Sequence, residues 1–512
     1  MQVSDWYDGV KLFVESIKKE IIECYNKFEK KITKEWFHMN IISQFYKLLE
    51  KSFTKYLKEY FDTNKYLVKC SDFNNYYSFI NSLDSFNSSF VKDIIKSYFE
   101  YIDECFFNSS YRKNFCTSNG FYERKNYVTL FGEITFKRRY YFDKLHNDKF
   151  FFVDLFFGLP KRKHFDPFVC ADICEKASCF NYSKTGKLVA DKIGSKIGNT
   201  INISRATARN IVMSFNTEVD EIKDARRIEK LYVMLDEKFV GSQFQDNDHM
   251  IKASIIFEGS DLVYRKKKNK NSKDRYKLVN SHTCASIDNK LLNDTVNYIY
   301  NTYDTDYLKE ITFMGDCATW IKNFPKSYWF KFNQETQVNF SIDNFHFSQA
   351  LHQLTTAKNK DVYYALKDIV KLNDKENFEI LCNQFMDLNP LRKDTIENKM
   401  NYILNNWNER QFYENHSYLK CSMESHISHI FADLFTSRPK AYSKKGLNQL
   451  LKLRLLNING YNIKDIYFNN LYKKPQQKLN SSMLNLSNTI SFYENKYDFT
   501  YTLYLKNKIF FK

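Results

Sequence analysis

Three acidic residues stand where they could bind divalent metal ions together. Asp236 ends the apolar run Leu231–Leu235, Asp316 ends the run Ile311–Gly315, and Glu424 opens a stretch with the apolar spacing of a helix. Two metal ions about 4 Å apart stabilise both the attacking and the leaving oxygen of a phosphodiester displacement. Mg²⁺ prefers carboxylate and phosphate oxygens to His or Cys ligands. These residue types therefore suit metal-dependent phosphodiester cleavage.

A strand that ends in Asp is not specific by itself, because turns favour Asp. The sequence around the carboxylates is more informative. It reads Asp-Glu-Lys-Phe-Val from Asp236, Gly-Asp-Cys-Ala-Thr-Trp-Ile-Lys from Gly315, Ile-Asp-Asn-Phe-His from Ile342, and Met-Glu-Ser-His-Ile-Ser-His from Met423, with Thr-Ser-Arg-Pro from Thr436. In this order the segments resemble bacterial insertion-sequence transposases of the ISLre type, a branch of the Mutator-like DDE transposases.

The resemblance covers most of residues 126–445 and implies a DNA transposase, an enzyme that binds transposon ends and performs DNA cleavage and strand transfer. It implies that Asp236, Asp316 and Glu424 are the catalytic residues. The same three side chains would hold two Mg²⁺ or Mn²⁺ ions in each active site. Glu409 and Glu414 lie in the same region as Glu424 and are alternative candidates for the third ligand.

Two further residues belong to the same motifs. Asp343 and His346 form the Asp-x-x-His signature of Mutator-like enzymes, and the resemblance implies that they support the site from behind the metal ligands. The alternative is a buried hydrogen-bonded pair that caps the following helix. The sequence departs from the family where Cys317 and Ser425 replace glycines, and this change affects how closely the backbone can approach the site.

Composition limits the class of partner and the location. A formal net charge of +17 over 512 residues points to a polyanion. The resemblance implies double-stranded DNA, both transposon terminal inverted repeats and target DNA, and a homo-oligomer. No run of roughly 18 apolar residues is present, so no membrane contact is expected. Eleven cysteines without a disulfide framework fit a reducing compartment, here the bacterial cytoplasm near the nucleoid. The joint enrichment of Phe, Tyr, Lys, Asn and Ile indicates an AT-rich genome.

The succession of patterns predicts an α/β protein with additional all-α parts. Residues 228–346 contain three strands, then helix, strand, helix, strand, which is the order of an RNase H-like fold. The tail from residue 464 has a strand-like character. The predicted domains are a helical N-terminal region (1–125), a short β-hairpin segment (126–160), a helix-turn-helix domain (161–222), an RNase H-like catalytic domain (228–436) with a helical insertion at about 350–420, and a basic C-terminal region (437–512).

The helix-turn-helix prediction depends on the segment that begins at Ser204, a residue type that favours the start of a helix. Apolar residues then recur with helical spacing and predict one buried face, formed by Ala208, Ile211, Val212 and Phe215. The opposite face would present polar residues to the major groove of DNA. These candidate DNA-binding residues are Arg205, Thr207, Arg209 and Asn210.

Two basic runs are candidates for phosphate contact. The segment Arg265–Lys277 includes Lys266, Lys267 and Lys268, which could follow a DNA backbone or could form a solvated loop. The triplet 137–139 follows a predicted strand and has the same two interpretations.

Two other functions remain possible from the sequence. One is a non-catalytic DNA-binding protein derived from a transposase, which would need the helix-turn-helix but not the three carboxylates. The other is a stand-alone RNase H-like nuclease, which would cut DNA without joining strands.

Overall fold

The structure is a computed structural model that describes residues 76–471, with gaps at 109, 145–146, 158, 160–162, 198–200, 220–223, 245–246, 265–274, 356–358, 410–420 and 438–439. Lys266, Lys267 and Lys268 lie outside the described residues, as do residues 1–75 and 472–512. The chain divides into two compact units. The first comprises Met1–Cys170, Leu188–Asn202 and Leu471–Lys512, and the second comprises Ala171–Lys187 and Ile203–Asn470.

The first unit contains a three-stranded antiparallel sheet of β1 (Cys116–Thr129), β2 (Gly132–Asp143) and β3 (Asp148–Phe151). It also contains the helices α1 (Tyr76–Asn108), α2 (Ser110–Phe115) and α3 (Phe152–Phe156). Alternate residues of β2 are buried, including Ile134 and Phe136, and they pack with Phe99 of α1. The predicted hairpin is therefore present, and its turn lies just before Gly132.

Two arginines of the basic triplet are buried in this unit by internal ion pairs. Arg138 lies 2.5 Å from Asp154, and Arg139 lies 2.9 Å from Asp103 and 2.6 Å from Glu104. Both interpretations of this triplet were therefore wrong for Arg138 and Arg139, because their guanidinium groups already have carboxylate partners inside the protein.

The second unit is built on a mixed sheet. Its strands are β4 (Lys230–Ser242), β5 (His249–Phe257), β8 (His282–Ser286), β9 (Glu310–Gly315) and β10 (Gln337–Ile342), with β6 (Gly259–Tyr264) and β7 (Arg275–Val279) forming a separate hairpin. The order across the sheet is β10-β9-β4-β5-β8. β10, β9 and β4 are parallel, whereas β5 is antiparallel to both β4 and β8.

Apolar residues on the strands explain why this sheet is buried. Leu231, Val233 and Leu235 of β4 pack in one core with Ile311 and Phe313 of β9. That core also includes residues of α7 (Leu291–Thr302) and Ile321 of α8 (Thr319–Asn323). The predicted alternation of strands and helices over 228–346 is confirmed at the level of elements, while the β6–β7 hairpin was not predicted.

The predicted helical insertion is also observed. It consists of α9 (Asn344–Thr355), α10 (Lys360–Lys371), α11 (Lys375–Asp387) and α12 (Lys393–Asn405). These helices have their own core, in which Phe347, Leu366, Phe378 and Ile403 are buried. Ile342 at the end of β10 belongs to the same core, so the insertion packs against the strand ends that it follows.

Three helices precede the sheet, as predicted: α4 (Pro167–Ala177), α5 (Tyr182–Ile197) and α6 (Arg205–Ser214). Ser204 caps α6, and its hydroxyl accepts a hydrogen bond of 3.0 Å from the backbone N–H of Thr207. A side chain at Gly186 would lie 2.3 Å from the carbonyl oxygen of Ile203, so α5 and the segment before α6 approach too closely for any other residue.

The C-terminal part of the second unit is helical. It contains α13 (Met423–Ile427), a π-helix at Ser428–Thr436, the short strand β11 (Ala441–Tyr442) and α14 (Lys444–Ile458). Residues 463–471 are also helical, so the strand-like expectation from 464 was wrong over this range. Ile463 and Ile466 are both buried, and their spacing of three residues suits one face of a helix.

Candidate active site

Asp236 and Asp316 lie at the same level on neighbouring strands. The parallel register of β4 and β9 pairs Met234 with Met314, and each aspartate follows its paired methionine by two residues. Between them the backbones are very close. A side chain at Gly315 would lie 3.0 Å from the carbonyl oxygen of Leu235 and 2.6 Å from the side chain of Ile321. Glycine at 315 is therefore what allows the end of β9 to lie against β4. β4 itself does not end with the apolar run at Leu235, as the sequence predicts, but continues beyond Asp236 to Ser242, because its later residues still pair with β5.

Asp236 carries a partly buried charge beside a second carboxylate, Asp316. Its Oδ1 accepts a hydrogen bond of 2.7 Å from the backbone N–H of Glu237. Burial, together with the charge of Asp316, raises the pKa of Asp236 to about 6, and the hydrogen bond from Glu237 N and the neighbouring His346 oppose the rise. Among the described residues, no Lys or Arg forms a salt bridge with Asp236 or Asp316.

A third carboxylate follows the next strand. β10 is parallel to β9, with Ile342 paired to Gly315, and the backbone N–H of Asp343 donates a 2.7 Å hydrogen bond to the carbonyl oxygen of Gly315. Asp343 is only 4% exposed. Its Oδ1 accepts a hydrogen bond of 2.9 Å from Phe345 N, and its Oδ2 lies 3.9 Å from Nε2 of His346.

The environment of Asp343 connects it to Glu424. Burial raises the pKa of Asp343, and the negative charge of Glu424 contributes to the rise. A hydrogen bond with the thiol of Cys421 acts in the opposite direction. The segment before α13 also contacts β4, because Ser422 N lies 3.3 Å from Sδ of Met234. The helix that carries Glu424 is thus held beside the strand that carries Asp236.

Glu409 has a different partner. Its Oε1 lies 2.8 Å from Nζ of Lys322 on α8. Since this ion pair occupies the carboxylate, Glu409 is a poorer third ligand than the exposed Glu424. Glu414 lies outside the described residues.

The donor chemistry suits a hard divalent cation, but the side chains do not form a closed ligand set. Within the described ranges, no three His, Cys, Asp or Glu side chains are grouped closely enough to hold a metal ion. Carboxylates repel one another when no cation lies between them. The fit is therefore good for Asp236 and Asp316 as oxygen donors, and Glu424 would have to move to join them.

The loop after Asp316 contains a strained residue. Cys317 has a φ of +68°, a conformation that favours glycine. For other residues such strain costs of the order of 1–3 kcal/mol. One hydrogen bond opposes it: the hydroxyl of Tyr402 on α12 donates to the carbonyl oxygen of Asp316 at 2.9 Å. A neutral hydrogen bond contributes about 0.5–1.5 kcal/mol, which is comparable with the strain.

The sequence patterns did not indicate that Tyr402 and Cys421 belong to the site. They also did not indicate the hydrogen bond that the indole N–H of Trp320 donates to Glu237. That bond connects the residue after Asp236 to α8, the helix that follows Asp316. The only local signal was that Glu237 and Trp320 both belong to the motifs that contain the aspartates.

The candidate DNA-binding residues lie on α6 in the same compact unit. The predicted core face is confirmed, because Ala208, Ile211, Val212 and Phe215 are all buried. Arg205, Arg209 and Asn210 are exposed, and neither arginine forms an ion pair with another described residue. Thr207 is half-buried and its hydroxyl lies 2.9 Å from Oγ of Ser204, so it mainly serves the helix cap.

α14 connects α6 to the π-helix that follows Glu424. The side-chain amide of Gln449 donates to the carbonyl oxygens of Val212 at 3.0 Å and Phe215 at 2.8 Å, at the end of α6. One turn further along, Arg454 donates to the carbonyl oxygens of His429 and Ile430, both at 2.8 Å. This arginine of the basic C-terminal region therefore binds backbone inside the protein.

Comparison with known proteins identifies relatives over most of the chain. A family described as "Uncharacterised protein family (UPF0236)" matches residues 81–470. Two UPF0236 proteins of Caldanaerobacter subterraneus subsp. tengcongensis are each 26% identical over 354 residues, which is 67% of this chain and 70% and 66% of theirs. A third is 24% identical over 356 residues, and its name joins eleven designations. In the described part of the chain, no helix has the length and apolar character needed to cross a membrane.

Proposed function

This chain belongs to the UPF0236 family, and we propose that it is a DDE transposase, which cleaves DNA at transposon ends and transfers the strands to target DNA. The observation that carries the proposal is that Asp236, Asp316 and Asp343 lie on three neighbouring parallel strands, each just past the stretch that pairs with the next strand, with the charge of Glu424 acting on Asp343. The charge of Asp316 acts on Asp236 and that of Glu424 acts on Asp343, no described Lys or Arg pairs with these aspartates, and carboxylates perturbed in this way mark a candidate functional site.

The topology of the sheet supports an RNase H-like catalytic core. If the five strands are numbered 1–5 along the chain, from β4 through β5, β8 and β9 to β10, they lie in the order 3-2-1-4-5. The second is antiparallel to both the first and the third, and the last two are parallel to the first. The resemblance to Mutator-like transposases implies this arrangement, with the aspartates at the central strands and a helical insertion before the glutamate.

Asp236, Asp316 and Glu424 would hold two Mg²⁺ or Mn²⁺ ions. Such ions lower the pKa of bound water or hydroxyl and offset the charge of the reacting phosphate. Asp236 has to be deprotonated to bind a cation, and with a pKa of about 6 it is largely so at neutral pH. Asp343 and His346 would support the ligands from behind, and Asp343 also caps α9 through its hydrogen bond with Phe345 N.

Recognition of DNA would fall to the helix-turn-helix formed around α6, through Arg205, Thr207, Arg209 and Asn210. The exposure and lack of described ion-pair partners support this role for Arg205 and Arg209, because paired side chains would first have to break internal contacts. The proposed partners are transposon terminal inverted repeats, target DNA and further copies of this chain. The proposed location is the bacterial cytoplasm, on the nucleoid DNA.

The names of the relatives add independent support. We read the eleven designations joined in one relative's name as separate gene copies of one protein in a single organism. An element that copies itself within a genome leaves copies of this kind, whereas the gene of an ordinary nuclease does not multiply in this way.

The decisive test is cleavage of a labelled duplex that carries the inverted repeats flanking the gene. Asp236→Asn, Asp316→Asn and Glu424→Gln should each abolish Mg²⁺- or Mn²⁺-dependent cleavage while duplex binding stays nearly unchanged. Asp343→Asn should lower the rate about 10- to 100-fold, the usual cost of losing support behind a ligand. Asp433→Asn is the matched control, because this exposed acid lies on the π-helix beyond Glu424. Robust cleavage by Asp316→Asn would disprove the site.

Two specific observations favour a second candidate, a non-catalytic DNA-binding derivative of a transposase. Non-glycine residues stand at Cys317 and Ser425, and no closed ligand set exists among the described residues. Such a protein would bind inverted-repeat DNA but cut nothing in either metal. A stand-alone nuclease would instead cut the duplex and fail a strand-transfer assay that uses a pre-cleaved end.

A further inference from the structure

The helical insertion contacts the site through the first turn after β9. Tyr402 of α12 donates its hydrogen bond to the carbonyl oxygen of Asp316, not to the carboxylate. Burial raises the pKa of Tyr402, so the hydroxyl keeps the proton that it donates. A second contact lies close by, where Nζ of Lys322 is 2.9 Å from the side-chain oxygen of Asn406 and 2.8 Å from Glu409. α12 is therefore bonded to the Asp316 carbonyl, and the segment just after α12 is bonded to α8, the helix that follows the Asp316 loop.

The bonded carbonyl controls the conformation of the next residue. The peptide plane between Asp316 and Cys317 sets both ψ of the aspartate and φ of the cysteine. Fixing the carbonyl oxygen fixes this plane, and φ of Cys317 is then +68°. In the same conformation, Oδ1 of Asp316 accepts a hydrogen bond of 2.9 Å from the backbone N–H of Ala318. The direction of the carboxylate thus depends on a backbone shape that cysteine disfavours.

We propose that Tyr402 is a positioning residue, which holds the Asp316–Cys317 peptide in a left-handed conformation and so aims the Asp316 carboxylate at its cation. A glycine at 317 would adopt this conformation without strain. In this chain, a hydrogen bond from the helical insertion stabilises it instead. The proposal rests on the proposed function for its effect on cleavage, but the coupling between Tyr402 and Cys317 is a property of the protein without DNA or metal.

Four proteins test the coupling: the natural chain, Tyr402→Phe, Cys317→Gly, and the double variant. Tyr402→Phe should lower cleavage about 10- to 100-fold, as expected for lost support of a metal ligand, with unchanged binding of end DNA. Cys317→Gly should leave cleavage within about threefold, since glycine adopts this φ freely. The double variant should recover to within about threefold of Cys317→Gly. Tyr363→Phe is the control, because this half-buried tyrosine packs against the same insertion core.

The metal-free proteins provide the second readout. The urea midpoint should fall more on Tyr402→Phe in the natural chain than in the Cys317→Gly background. Mn²⁺ should raise the thermal midpoint of Tyr402→Phe less than that of the natural chain. Unimpaired cleavage by Tyr402→Phe, or a folded double variant that cleaves no better than Tyr402→Phe, would overturn the proposal.

If the natural chain cleaves no DNA at all, the proposed function is wrong. The urea midpoints alone then test whether Tyr402 and Cys317 are coupled. Additive effects of the two substitutions would then overturn the positioning role, and a coupled effect would uphold it.

Discussion

The two compact units bury charge in opposite ways. In the first unit, Asp154 is buried with two arginines, at 3.1 Å from Arg124 and 2.5 Å from Arg138. In the second unit, Asp343 is buried and Asp236 is partly buried beside other carboxylates, and no described Lys or Arg forms an ion pair with them. Both arrangements contain charged groups that the sequence marked as functional.

The difference separates structural charge from charge that awaits a ligand. A buried ion needs a partner, because desolvation costs several kcal/mol per ion. Where the partner is a side chain, as around Asp154, the two arginines offset part of the burial that raises the pKa of this carboxyl. Where the neighbours have the same sign, as around Asp236, the fold retains a cost that a bound cation would remove. Arg205 and Arg209 are the exposed counterpart, cations without described acidic partners on a helix surface.

The largest expected effect is a loss of stability when the paired carboxylate Asp154 is removed. Asp154→Ala should destabilise the first unit by about 3–5 kcal/mol, because it leaves two buried guanidinium groups without their carboxylate. Urea unfolding followed by circular dichroism measures the loss. Asp148→Ala is the control, since this acid is exposed on β3 of the same sheet. Equal stability of the two variants would mean that the ion pairs of the first unit contribute nothing.

A smaller effect is expected for the exposed cations. The double change Arg205→Ala with Arg209→Ala should weaken binding to inverted-repeat DNA, with each lost base contact contributing about 1–3 kcal/mol. Fluorescence anisotropy at fixed salt measures the affinity, and Lys371→Ala serves as control because its ammonium is paired with Asp368. If end binding survives the double change, DNA recognition lies elsewhere in the chain.

Substitution of the unpaired carboxylate Asp236 should increase stability, whereas substitution of Asp154 should decrease it. Because the folded-state pKa of Asp236 is raised to about 6, the metal-free fold binds that proton more tightly than the unfolded chain does. The resulting stability is present at low pH and is lost as pH rises through about 6. Metal-free Asp236→Asn should therefore be more stable than the natural chain at pH ~7.5. The difference in urea midpoint between Asp236→Asn and the natural chain should become smaller towards pH ~5. If Asp236→Asn is less stable than the natural chain at both pH values, the comparison between the two units is wrong.

The smallest effect on DNA affinity is expected for the lysines of the basic run Arg265–Lys277. Neutralising Lys266, Lys267 and Lys268 should lower affinity for random-sequence DNA and reduce its salt dependence by about 0.9 log units of slope per lost phosphate contact. Titrations at several salt concentrations measure the slope. An unchanged slope would show that this run is only solvated and does not track DNA.

The sequence predicted the parts of the site that depend on local pattern. Apolar runs located β9, β10 and the first half of β4, and the aspartates that follow these runs lie on neighbouring strands. The expectation that the strand ends at Asp236 was wrong, because β4 continues to Ser242. The contacts of Tyr402 and Cys421 could not be predicted, since they join segments far apart in the chain. The arginines of β2 were misinterpreted for the same reason, because their partners Asp103 and Asp154 lie on helices whose packing the local pattern does not specify.

Helix α14 has a consequence for the product of the proposed reaction. Through Gln449 it is attached to the end of α6, and through Arg454 it is attached to the π-helix beyond Glu424. If α6 reads DNA and Glu424 belongs to a cleavage site, as proposed, α14 would hold the two at a fixed separation. The number of base pairs between the recognised sequence and the cut would then be a length built into the protein.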